Sequence, residues 1–491
     1  MRLARTERLG GGGAPPERQA ALEERLPHPE HGAVLDHGHI DEPGVRREGH
    51  VIPLLRARRA RTARRVGRPR NRLGVHRGPA APRVDILRPG LPRELRTGTI
   101  AVGANVYLAG QTAPGDGVQL RLGRASARPM MVRAANDVVI RHLRLRPGPS
   151  RVTSGSVDGI GIFSHDVILD HLSVQCATDE LLAIGTLRGS AFDITVQDSL
   201  FAWGLDRANH SKGKHSKGAL ICTMDSGECG RISLLRNLFA HNRDRNPDVK
   251  GTAIGPVEIV NNVFYNPKSQ FGEFYDDEGD LRINYIGNTA LSGPSTRRTR
   301  PPYAVEIHND RSPTFDAMVH VRGNIDGRHR RSGSEPEELV VRPDDRAHLA
   351  PEPFLPLTVE ALAPEAALER VLANAGATLP TRDRLDRQVV EDVINRTGHV
   401  IGDPADAGGW PSLSSGPVPV DSDGDGMPDR WEIGHGADPH TFDAWLDADG
   451  NGWANLEDYL NQRGRQARDD AVVHGPRGSG DGRGRWDAFL R

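Results

Sequence analysis

Acidic side chains near the C-terminus recur at the spacing of a calcium-binding loop. The stretch DSDGDGMPDRWE has acids at its first, third, fifth, ninth and twelfth positions: Asp421, Asp423, Asp425, Asp429 and Glu432. Gly426 occupies the sixth position, where such a loop turns sharply. Carboxylate oxygens that converge in this way suit Ca²⁺, and the terminal Glu can bind it with both oxygens. The sequence therefore predicts a calcium site here.

A second stretch, DADGNGWANLED, repeats this pattern less completely. Its candidate ligands are Asp447, Asp449, Asn451, Asn455 and Asp458. The twelfth residue is Asp rather than Glu, so we expect weaker binding than at the first stretch. Together the two stretches predict a small calcium-binding module over residues 421–462. The alternative interpretation is a pair of solvated acidic turns.

Further acids lie in the middle of the chain, near the ends of two short hydrophobic runs. Asp158 belongs to SVDG and Asp179 to TDEL. If the two runs are neighbouring strands, their carboxylates lie about 5 Å apart, which is close enough to share a metal ion. Glu180 is a candidate third ligand. For each residue taken singly, the alternative is a carboxylate that caps a turn.

The elements that must position these acids are hydrophobic runs that recur along the chain. When the polar residue before the last apolar step of each run is aligned, the column reads His142, His171, Ser199, Asn237, Asn262, Asn288 and Asn324. The intervals are 29, 28, 38, 25, 26 and 36 residues. Repeats of this length are typical of a solenoid, and the longer intervals predict loops on one face.

The runs are too short for helices and alternate with period two, as in Val257–Val260. One strand per turn, stacked on the next, predicts a parallel β-solenoid and an all-β fold. The asparagines suit a bend at which each amide bonds the one on the next turn. His171 belongs to this column, so we interpret it as structural rather than as the partner of Asp170 in a catalytic dyad. An ordinary parallel α/β sheet is the alternative, but the gaps lack the long amphipathic helices that crossovers need.

Composition limits the classes of function. The chain has 491 residues, a formal net charge of −1 and 36% hydrophobic residues, which suits a narrow core with polar flanks. This charge argues against a nucleic-acid binder that neutralises phosphates, and no apolar run is long enough to cross a membrane. Cys222 and Cys229 bracket a short loop and either pair or remain free thiols. Cys176 is predicted to lie in the core.

The two ends of the chain differ from its middle. Residues 1–96 contain 21 Arg, no Lys and no aromatic residue, with neither periodicity nor a signal-peptide pattern. We interpret them as a disordered basic arm or as an out-of-frame translation joined to a domain near Thr97. Residues 463–491 have a similar low-complexity character. Residues 346–410 contain stretches with helical spacing, and residues 411–420 are interpreted as a linker.

Several strings in the solenoid region together resemble those of pectate lyases, which are calcium-dependent polysaccharide lyases with a right-handed parallel β-helix. The strings are AGQTAPGDG (109–117), SVDGIGI (156–162), VILDHLSV (167–174), TDELLAIG (178–185), HSKGALI (215–221) and NLFAHNRDRNP (237–247). The resemblance implies a right-handed parallel β-helix over residues 97–345, and the GGWP region and the calcium loops resemble trailing pieces of bacterial relatives. The helical spacing within residues 346–410 predicts a helical segment packed on the last turns of this β-helix.

The resemblance also implies roles for individual residues. Asp158 and Asp179 match calcium-binding aspartates of the family. Arg245, in DRNP, matches its catalytic arginine, and Lys217, in HSKG, matches a substrate-binding lysine. An arginine that acts as a base must first lose a proton that guanidinium normally keeps, so Arg245 could instead clamp a carboxylate of the substrate.

Three positions depart from the family pattern. Lys250 lies where relatives usually have a second substrate-binding arginine, and Asp248 replaces another common basic residue. Ala183 lies where many relatives have a further aspartate. We therefore expect low affinity for calcium in the absence of substrate, with a carboxylate of the substrate completing the coordination.

The resemblance implies a secreted, monomeric enzyme that cleaves α-1,4-linked galacturonan, an acidic polysaccharide, by calcium-assisted abstraction of the C5 proton. Elimination expels the glycosidic oxygen at C4, and calcium bound to the adjacent carboxylate stabilises the charge that develops. A β-helical polygalacturonase is one alternative, and it would need two carboxylates as acid and base. The other is a solenoid that only binds acidic polysaccharide, or an inactive truncated lyase.

Overall fold

The structure is a computed structural model. It describes the backbone of two short strands at 83–85 and 94–95, and residues 99–122, 129–133, 135–149, 156–186, 189–223, 228–251 and 254–461. Three parallel sheets surround one continuous hydrophobic core, which confirms the predicted parallel β-helix.

Each turn of the β-helix contributes one strand to each sheet, so neighbouring strands come from successive turns. The first sheet contains Arg83–Asp85, Val106–Ala109, Val138–Arg141, His165–Asp170, Ala191–Gln197, Cys229–Leu235, Val257–Val260, Leu281–Ile286 and Ala317–Arg322. The second contains Glu94–Leu95, Gln119–Leu122, Arg144–Leu145, Ser173–Gln175, Leu200–Ala202, Leu238–Ala240, Val263–Tyr265, Thr289–Leu291 and Ile325–Asp326. The third contains Ile100–Val102, Met130–Arg133, Ile160–Phe163, Glu180–Gly185, Lys217–Thr223, Asp248–Val249, Gly272–Tyr275 and Val305–His308.

Aliphatic side chains stack inside the helix from one turn to the next. Val167 pairs with Ile194, and Ile194 pairs with Ile232, and all three are fully buried. Burial of each such side chain contributes roughly 1.5–3 kcal/mol. Because alternate side chains of a strand face opposite sides of the sheet, this stacking accounts for the period of two in the sequence.

The asparagine column forms a hydrogen-bonded ladder at the bend between the first and second sheets. The side-chain amide of each residue donates to the side-chain oxygen of the next, over 3.0–3.1 Å, in the order Asn237, Asn262, Asn288 and Asn324. The same oxygens also accept from backbone N–H groups one turn earlier. The ladder therefore satisfies buried backbone groups that the bend removes from the sheets.

His171 and His142 extend this column towards the N-terminus. Their rings stack with centroids 4.7 Å apart. Nδ1 of His171 lies 2.5 Å from Oδ1 of Asp170, whose other oxygen lies 2.6 Å from Nε of Arg141. All four residues are buried, so the geometry agrees with the structural interpretation of His171.

Two helices, α1 (Pro364–Asn374) and α2 (Arg384–Asn395), pack against the outer face of the second sheet. The Asp383 side chain accepts a hydrogen bond from the backbone N–H of Asp386 at the start of α2, a standard N-cap. The buried side chains of the helices recur at helical spacing: Leu368, Val371, Leu372, Leu385, Val389 and Val393. Short 3₁₀ helices lie at Gly110–Thr112, Glu337–Val340, Pro343–His348 and Pro404–Ala407.

Two fully buried arginines tie α2 to an early turn of the β-helix. Nη1 of Arg146 lies 2.5 Å from Oδ2 of Asp383, and Nη2 lies 2.9 Å from Oδ1 of Asp386. Arg144 donates from Nη2 to the backbone oxygen of Ala377 over 3.1 Å. Removal of one partner from such a buried pair typically costs about 3–5 kcal/mol. The start of α2 is thus fixed to Arg146, which precedes Asp386 by 240 residues in the chain.

Residues 421–461, here called the C-terminal module, contain α3 (Asp429–His435) and a second helix at 455–461. Their apolar side chains contact the outer face of the first sheet. Elsewhere, Cys222 and Cys229 form a disulfide, which decides between the two states left open by the sequence. Cys176 is a buried free thiol.

Two strands, at 83–85 and 94–95, precede the domain boundary that composition places near Thr97. They pair with the strands of the next turn. The rest of the predicted arm over residues 1–96, apart from these strands, and the tail over residues 463–491 lie outside the described residues. Among the helices of the described residues, none combines the length and the apolar character that crossing a membrane requires.

Candidate active site

Three carboxylates lie close together at the N-terminal ends of two neighbouring strands of the third sheet. One oxygen from each of Asp158, Asp179 and Glu180 lies within 4.8 Å of the others. Asp158 precedes the strand Ile160–Phe163, and Glu180 begins the next strand, so parallel pairing brings them together. A Cβ at Gly159 would lie 2.6 Å from the backbone oxygen of Leu181, so only glycine allows this approach. We name these residues the acid trio.

Two basic residues follow on the next two turns of the same sheet. Lys217 is in register with Glu180, and Asp244 bridges to Lys217. Nζ of Lys217 lies 2.5 Å from Oδ1 of Asp244. The guanidinium of Arg245 donates from Nη1 to the Glu180 carboxylate, and its Nε lies 3.3 Å from Oδ2 of Asp248. The acid trio is thus in direct contact with the residue predicted to be catalytic.

The acid trio has the electrostatics of a cation site. Burial and the carboxylates of Asp158 and Asp179 raise the pKa of Glu180 well above its usual range. Burial also raises the pKa of Asp179, but hydrogen bonds from His215 and Glu180 outweigh burial, and the net shift is downward. A divalent cation would relieve the repulsion felt by Glu180, and carboxylate oxygens are the ligands that Ca²⁺ prefers. The residues present therefore fit calcium.

Arg245 carries a proton in this arrangement. Burial lowers its pKa, but the negative charges of Glu180 and Asp248 raise it by more, so the net shift is upward. A base must be deprotonated when it acts, and guanidinium gives up its proton only where nearby charges oppose it. The two carboxylates in contact with Arg245 hold it in the protonated form.

A column of acids continues beyond Arg245 on the third sheet. Asp248, Glu273 and Glu306 are in register on consecutive turns. Burial and Glu273 raise the pKa of Asp248 well above its usual range. Burial raises the pKa of Glu273 as well, but hydrogen bonds from His308 and Tyr275 outweigh it and the net shift is downward. Arg245 therefore lies between two groups of carboxylates.

Lys250 directly follows the strand Asp248–Val249, and its contacts are with residues outside the acid trio. Its Nζ is 3.0 Å from Oδ2 of Asp277 and 3.3 Å from the centroid of the Tyr275 ring. A cation over an aromatic face at this distance gains about 0.5–2 kcal/mol. The structure thus places Lys250 against this aromatic ring, on the turn after Lys217.

Two histidines that the sequence did not single out hold Asp179. Nε2 of His215 lies 2.7 Å from Oδ1 of Asp179, and Nε2 of His210 lies 3.3 Å from its Oδ2. The two rings stack with centroids 3.8 Å apart. The backbone N–H of Lys212 donates to Nδ1 of His210, so the neutral ring carries its proton on Nε2. Burial lowers the pKa of His215, which favours its neutral form.

This geometry makes both histidines hydrogen-bond donors to Asp179. Each oxygen of the carboxylate receives one N–H, which fixes its orientation relative to Asp158 and Glu180. Donors of this kind around a metal-binding carboxylate commonly set its affinity for the ion.

The first predicted calcium loop places four of its five acids in two groups that share Asp425. Oxygens of Asp421, Asp423 and Asp425 lie within 4.8 Å of one another, and so do those of Asp425, Glu432 and Asp443. Asp429 instead accepts hydrogen bonds from the backbone N–H and the hydroxyl of Ser422, both over 2.7 Å.

The candidate ligands of the second loop are bonded within the loop. Asn451 donates from Nδ2 to Asp449 and to Asp458, over 2.9 Å each. Asp447 accepts from the backbone N–H of Gly452, and Asn455 accepts from that of Ala448. In the part of the chain that the structure describes, these residues form no converging acidic group. Calcium binding at the second loop stays a prediction.

Proteins with similar sequences decide the family. The chain is 34% identical over 372 residues to the probable pectate lyase C of Aspergillus flavus, and the alignment covers 74% of this chain and 80% of that protein. The chain belongs to the pectate lyase family. The probable pectate lyase C of Aspergillus terreus is 32% identical over 369 residues, with 74% and 79% covered. No family model matches the chain.

Solved pectate lyase structures resemble this pectate lyase at lower identity. The pectate lyase of Acidovorax avenae subsp. citrulli is 15% identical, covering 58% of this chain and 67% of its own, with a TM-score of 0.40. The pectate lyase from Bacillus sp. N165 in complex with trigalacturonate is 16% identical, covering 57% and 76%, with a TM-score of 0.38.

Sequence reasoning missed several residues of this pectate lyase site. His215 stands two residues before Lys217, inside a string that resembles the family, so the string itself pointed towards it. Asp244 precedes Arg245 inside another of these strings, whereas His210 had no comparable signal, because it reaches the site through a loop rather than through the repeated strands.

Proposed function

We propose that this pectate lyase cleaves α-1,4-linked galacturonan by β-elimination. A proton leaves C5 of one sugar ring, the C4–O bond breaks, and a C4=C5 double bond forms in the new non-reducing end. The expelled oxygen takes a proton from water. The observation that carries the proposal is the contact between the acid trio and Arg245, which lies two turns beyond Glu180.

Asp158, Asp179 and Glu180 would hold a calcium ion at this site. When bound beside the carboxylate of the substrate, calcium supplies a Lewis acid that makes the C5 proton easier to remove. His210 and His215 fix the orientation of the Asp179 carboxylate through one hydrogen bond each. Lys217, with its ammonium fixed by Asp244, and Lys250 one turn further would bind the carboxylates of neighbouring sugar rings.

Arg245 is proposed as the base that accepts the C5 proton. Its guanidinium already lies at the acid trio, where the reacting ring would be bound. Deprotonation requires that the charges of Glu180 and Asp248 no longer hold the proton on Arg245, and burial, which raises the pKa of Asp248 well above its usual range, disfavours the charged form of that group. The alternative is that Arg245 stays charged and clamps a carboxylate of the substrate.

A hydrolytic mechanism fits the geometry less well. Glycoside hydrolases place one carboxyl on each side of the scissile bond, as an acid and a base or nucleophile. Here the three acids converge within 4.8 Å, and the group opposite them is a guanidinium. This arrangement favours cation binding by the acids and elimination over hydrolysis.

We also propose that the enzyme is secreted and acts as a monomer, since an acidic polysaccharide of this class is met outside the cell. The disulfide between Cys222 and Cys229 supports this proposal, because disulfides persist in oxidising compartments.

The reaction class is tested by incubating the purified chain with polygalacturonate and following ultraviolet absorbance of the unsaturated product. We expect absorbance to rise with calcium and to stop when a chelator is added. New reducing ends without absorbance would show hydrolysis instead. Binding of the polymer by folded protein, with neither signal, would support the non-catalytic solenoid.

The histidines beside Asp179 give a prediction about calcium affinity. We expect His215→Ala to raise the calcium concentration for half-maximal activity by about tenfold, because loss of a donor around a metal ligand typically costs 10–100-fold in affinity. The rate at saturating calcium should change little. His215→Gln, which keeps an N–H donor, should recover most of the affinity.

A calcium titration of lyase activity for each variant provides this measurement. His348→Ala, a change far from the acid trio in sequence and on a different element, serves as the matched control. An unchanged half-maximal calcium concentration in His215→Ala would contradict the positioning role, and so would an equal defect in His215→Gln and His215→Ala.

A further inference from the structure

The C-terminal module contains a second convergence of acids that the lyase reaction does not use. Asp421, Asp423 and Asp425 form one group, and Asp425, Glu432 and Asp443 form another, with Asp425 common to both. Asp443 lies outside the twelve-residue loop, in the segment that follows α3. Its backbone N–H donates to Oδ2 of Asp425 over 3.3 Å, which links this segment to the loop.

Several oxygens in these groups are buried without a hydrogen-bond partner. Glu432 is 0% exposed, and neither of its carboxylate oxygens has a partner among the described residues. The same is true of Oδ2 of Asp423 and Oδ1 of Asp443. An unpaired buried carboxylate is costly, so a folded chain keeps one only where a proton or a cation compensates it.

The pKa values of two of these acids are raised by burial and by the neighbouring carboxylates. Burial and the neighbouring carboxylate of Asp425 raise the pKa of Glu432 to about 7. Burial raises the pKa of Asp425 to about 6, with a further contribution from Asp423.

The acids and the apolar face of the module belong to the same short segments. Met427 follows Gly426 in the loop, is fully buried, and donates its backbone N–H to Oδ1 of Asp425 over 2.9 Å. Ala444, which follows Asp443, is also fully buried. Both side chains belong to the cluster that covers the first sheet, so any movement of the acids also moves the contact surface.

The contact surface covers apolar side chains on the outside of the early turns. Tyr107, Val139 and Ile168 come from three consecutive strands of the first sheet. Leu456, Tyr459 and Leu460, on the helix at 455–461, pack on the same cluster.

A polar contact lies beside this apolar surface. Arg141 donates from Nη1 to the hydroxyl of Tyr107 over 2.8 Å and to Oδ1 of Asn461 over 3.4 Å. The C-terminal module therefore contacts the first sheet through apolar packing and through a hydrogen bond.

We propose that one calcium ion, bound by Asp421, Asp423, Asp425, Glu432 and Asp443, fastens the C-terminal module onto the outer face of the first sheet. Without the ion, repulsion among the buried carboxylates opens the loop and withdraws Met427 and Ala444 from the sheet. The module is thus a calcium-dependent brace for the early turns, separate from the calcium of the lyase reaction.

The test uses the full chain carrying Asp179→Asn, so that calcium at the acid trio contributes less to the readout. Limited proteolysis of the linker at 411–420 measures release of the module, and thermal unfolding is followed in parallel. With calcium in place of chelator, we expect linker cleavage to slow at least tenfold and the melting temperature to rise.

Two variants and one control decide the assignment. In Glu432→Gln the protection by calcium should disappear, while cleavage in chelator stays equal to that of the parent or becomes slower, since a buried charge has been removed. Asp443→Asn should also lose the protection. Asp449→Asn, in the second loop, should keep it. Equal rates in the parent with calcium and with chelator would overturn the proposal.

Full protection by calcium in both Glu432→Gln and Asp443→Asn would overturn it as well. If Glu432→Gln does not fold, Asp443→Asn carries the decision alone, because Asp443 lies outside the loop and its backbone bond to Asp425 does not depend on its side chain.

Discussion

Replacing Arg245 by alanine should lower the rate of elimination by about 10³-fold, within the range of about 10²–10⁴ that a general base contributes. The folded state should survive, because the Arg245 side chain lies at the edge of the sheet and its ion pairs within the described residues are with Glu180 and Asp248. The measurement is the initial rate of product absorbance on polygalacturonate at saturating calcium. Arg231→Ala, which removes an exposed arginine paired with Asp193 on the first sheet, is the matched control and should be unaffected.

The lysine variant separates the two roles open to Arg245. Lysine keeps the positive charge but has a pKa near 10.4, well below that of arginine. If Arg245 is the base, Arg245→Lys should retain part of the rate and its pH optimum should move to lower pH. A variant that raises KM and leaves kcat unchanged would instead assign Arg245 to binding a carboxylate of the substrate.

Asp179→Asn should weaken the response to calcium by about 10³-fold. Two unit charges 4 Å apart interact by about 4 kcal/mol at an effective dielectric constant of about 20, and loss of one carboxylate charge removes at least that attraction to the ion. The asparagine oxygen can still accept the hydrogen bond from His215, while its NH₂ group takes the place of the oxygen that faces His210, so one of the two bonds is kept. Asp158→Asn should behave alike, since it shares the same group.

Titration of lyase activity with calcium checks this prediction. Asp447→Asn, an exposed acid of the second loop, is the matched control, and its titration should coincide with that of the parent. Recovery of the rate at very high calcium would assign Asp179 to affinity for the ion. An unchanged titration in Asp179→Asn would contradict the assignment of the acid trio as the calcium site.

The fold could be predicted because its information is local and repeated. Each turn carries its own alternating runs and a residue of the polar column, so the asparagines from Asn237 to Asn324 signal the same bend several times. The proximity of the acid trio was predictable for a related reason. Asp158 and Glu180 stand at equivalent places in successive turns, Asp179 is the neighbour of Glu180, and parallel pairing converts that equivalence into proximity.

The remaining parts of the site depend on residues that lie outside the sequence repeat. His210 reaches Asp179 through a loop, and nothing in its neighbours along the chain indicates that reach. Asp443 completes the second acidic group from outside the loop pattern, at a distance in sequence that the pattern does not include. Lys250 was expected to bind substrate, and the aromatic ring of Tyr275 beneath its ammonium comes from the following turn.

The contacts that cover the early turns are made by segments of the chain that are synthesised much later than those turns. The guanidinium of Arg146 can pair with Asp386 only after a further 240 residues have been synthesised. Tyr107 likewise packs in one cluster with Tyr459. Successive turns of the β-helix can stack as they emerge, but the buried guanidinium and the apolar flank stay open to water until these later segments have been synthesised. A chain released before Asp386 and Tyr459 have been made therefore carries stacked turns whose early outer surface is still uncovered.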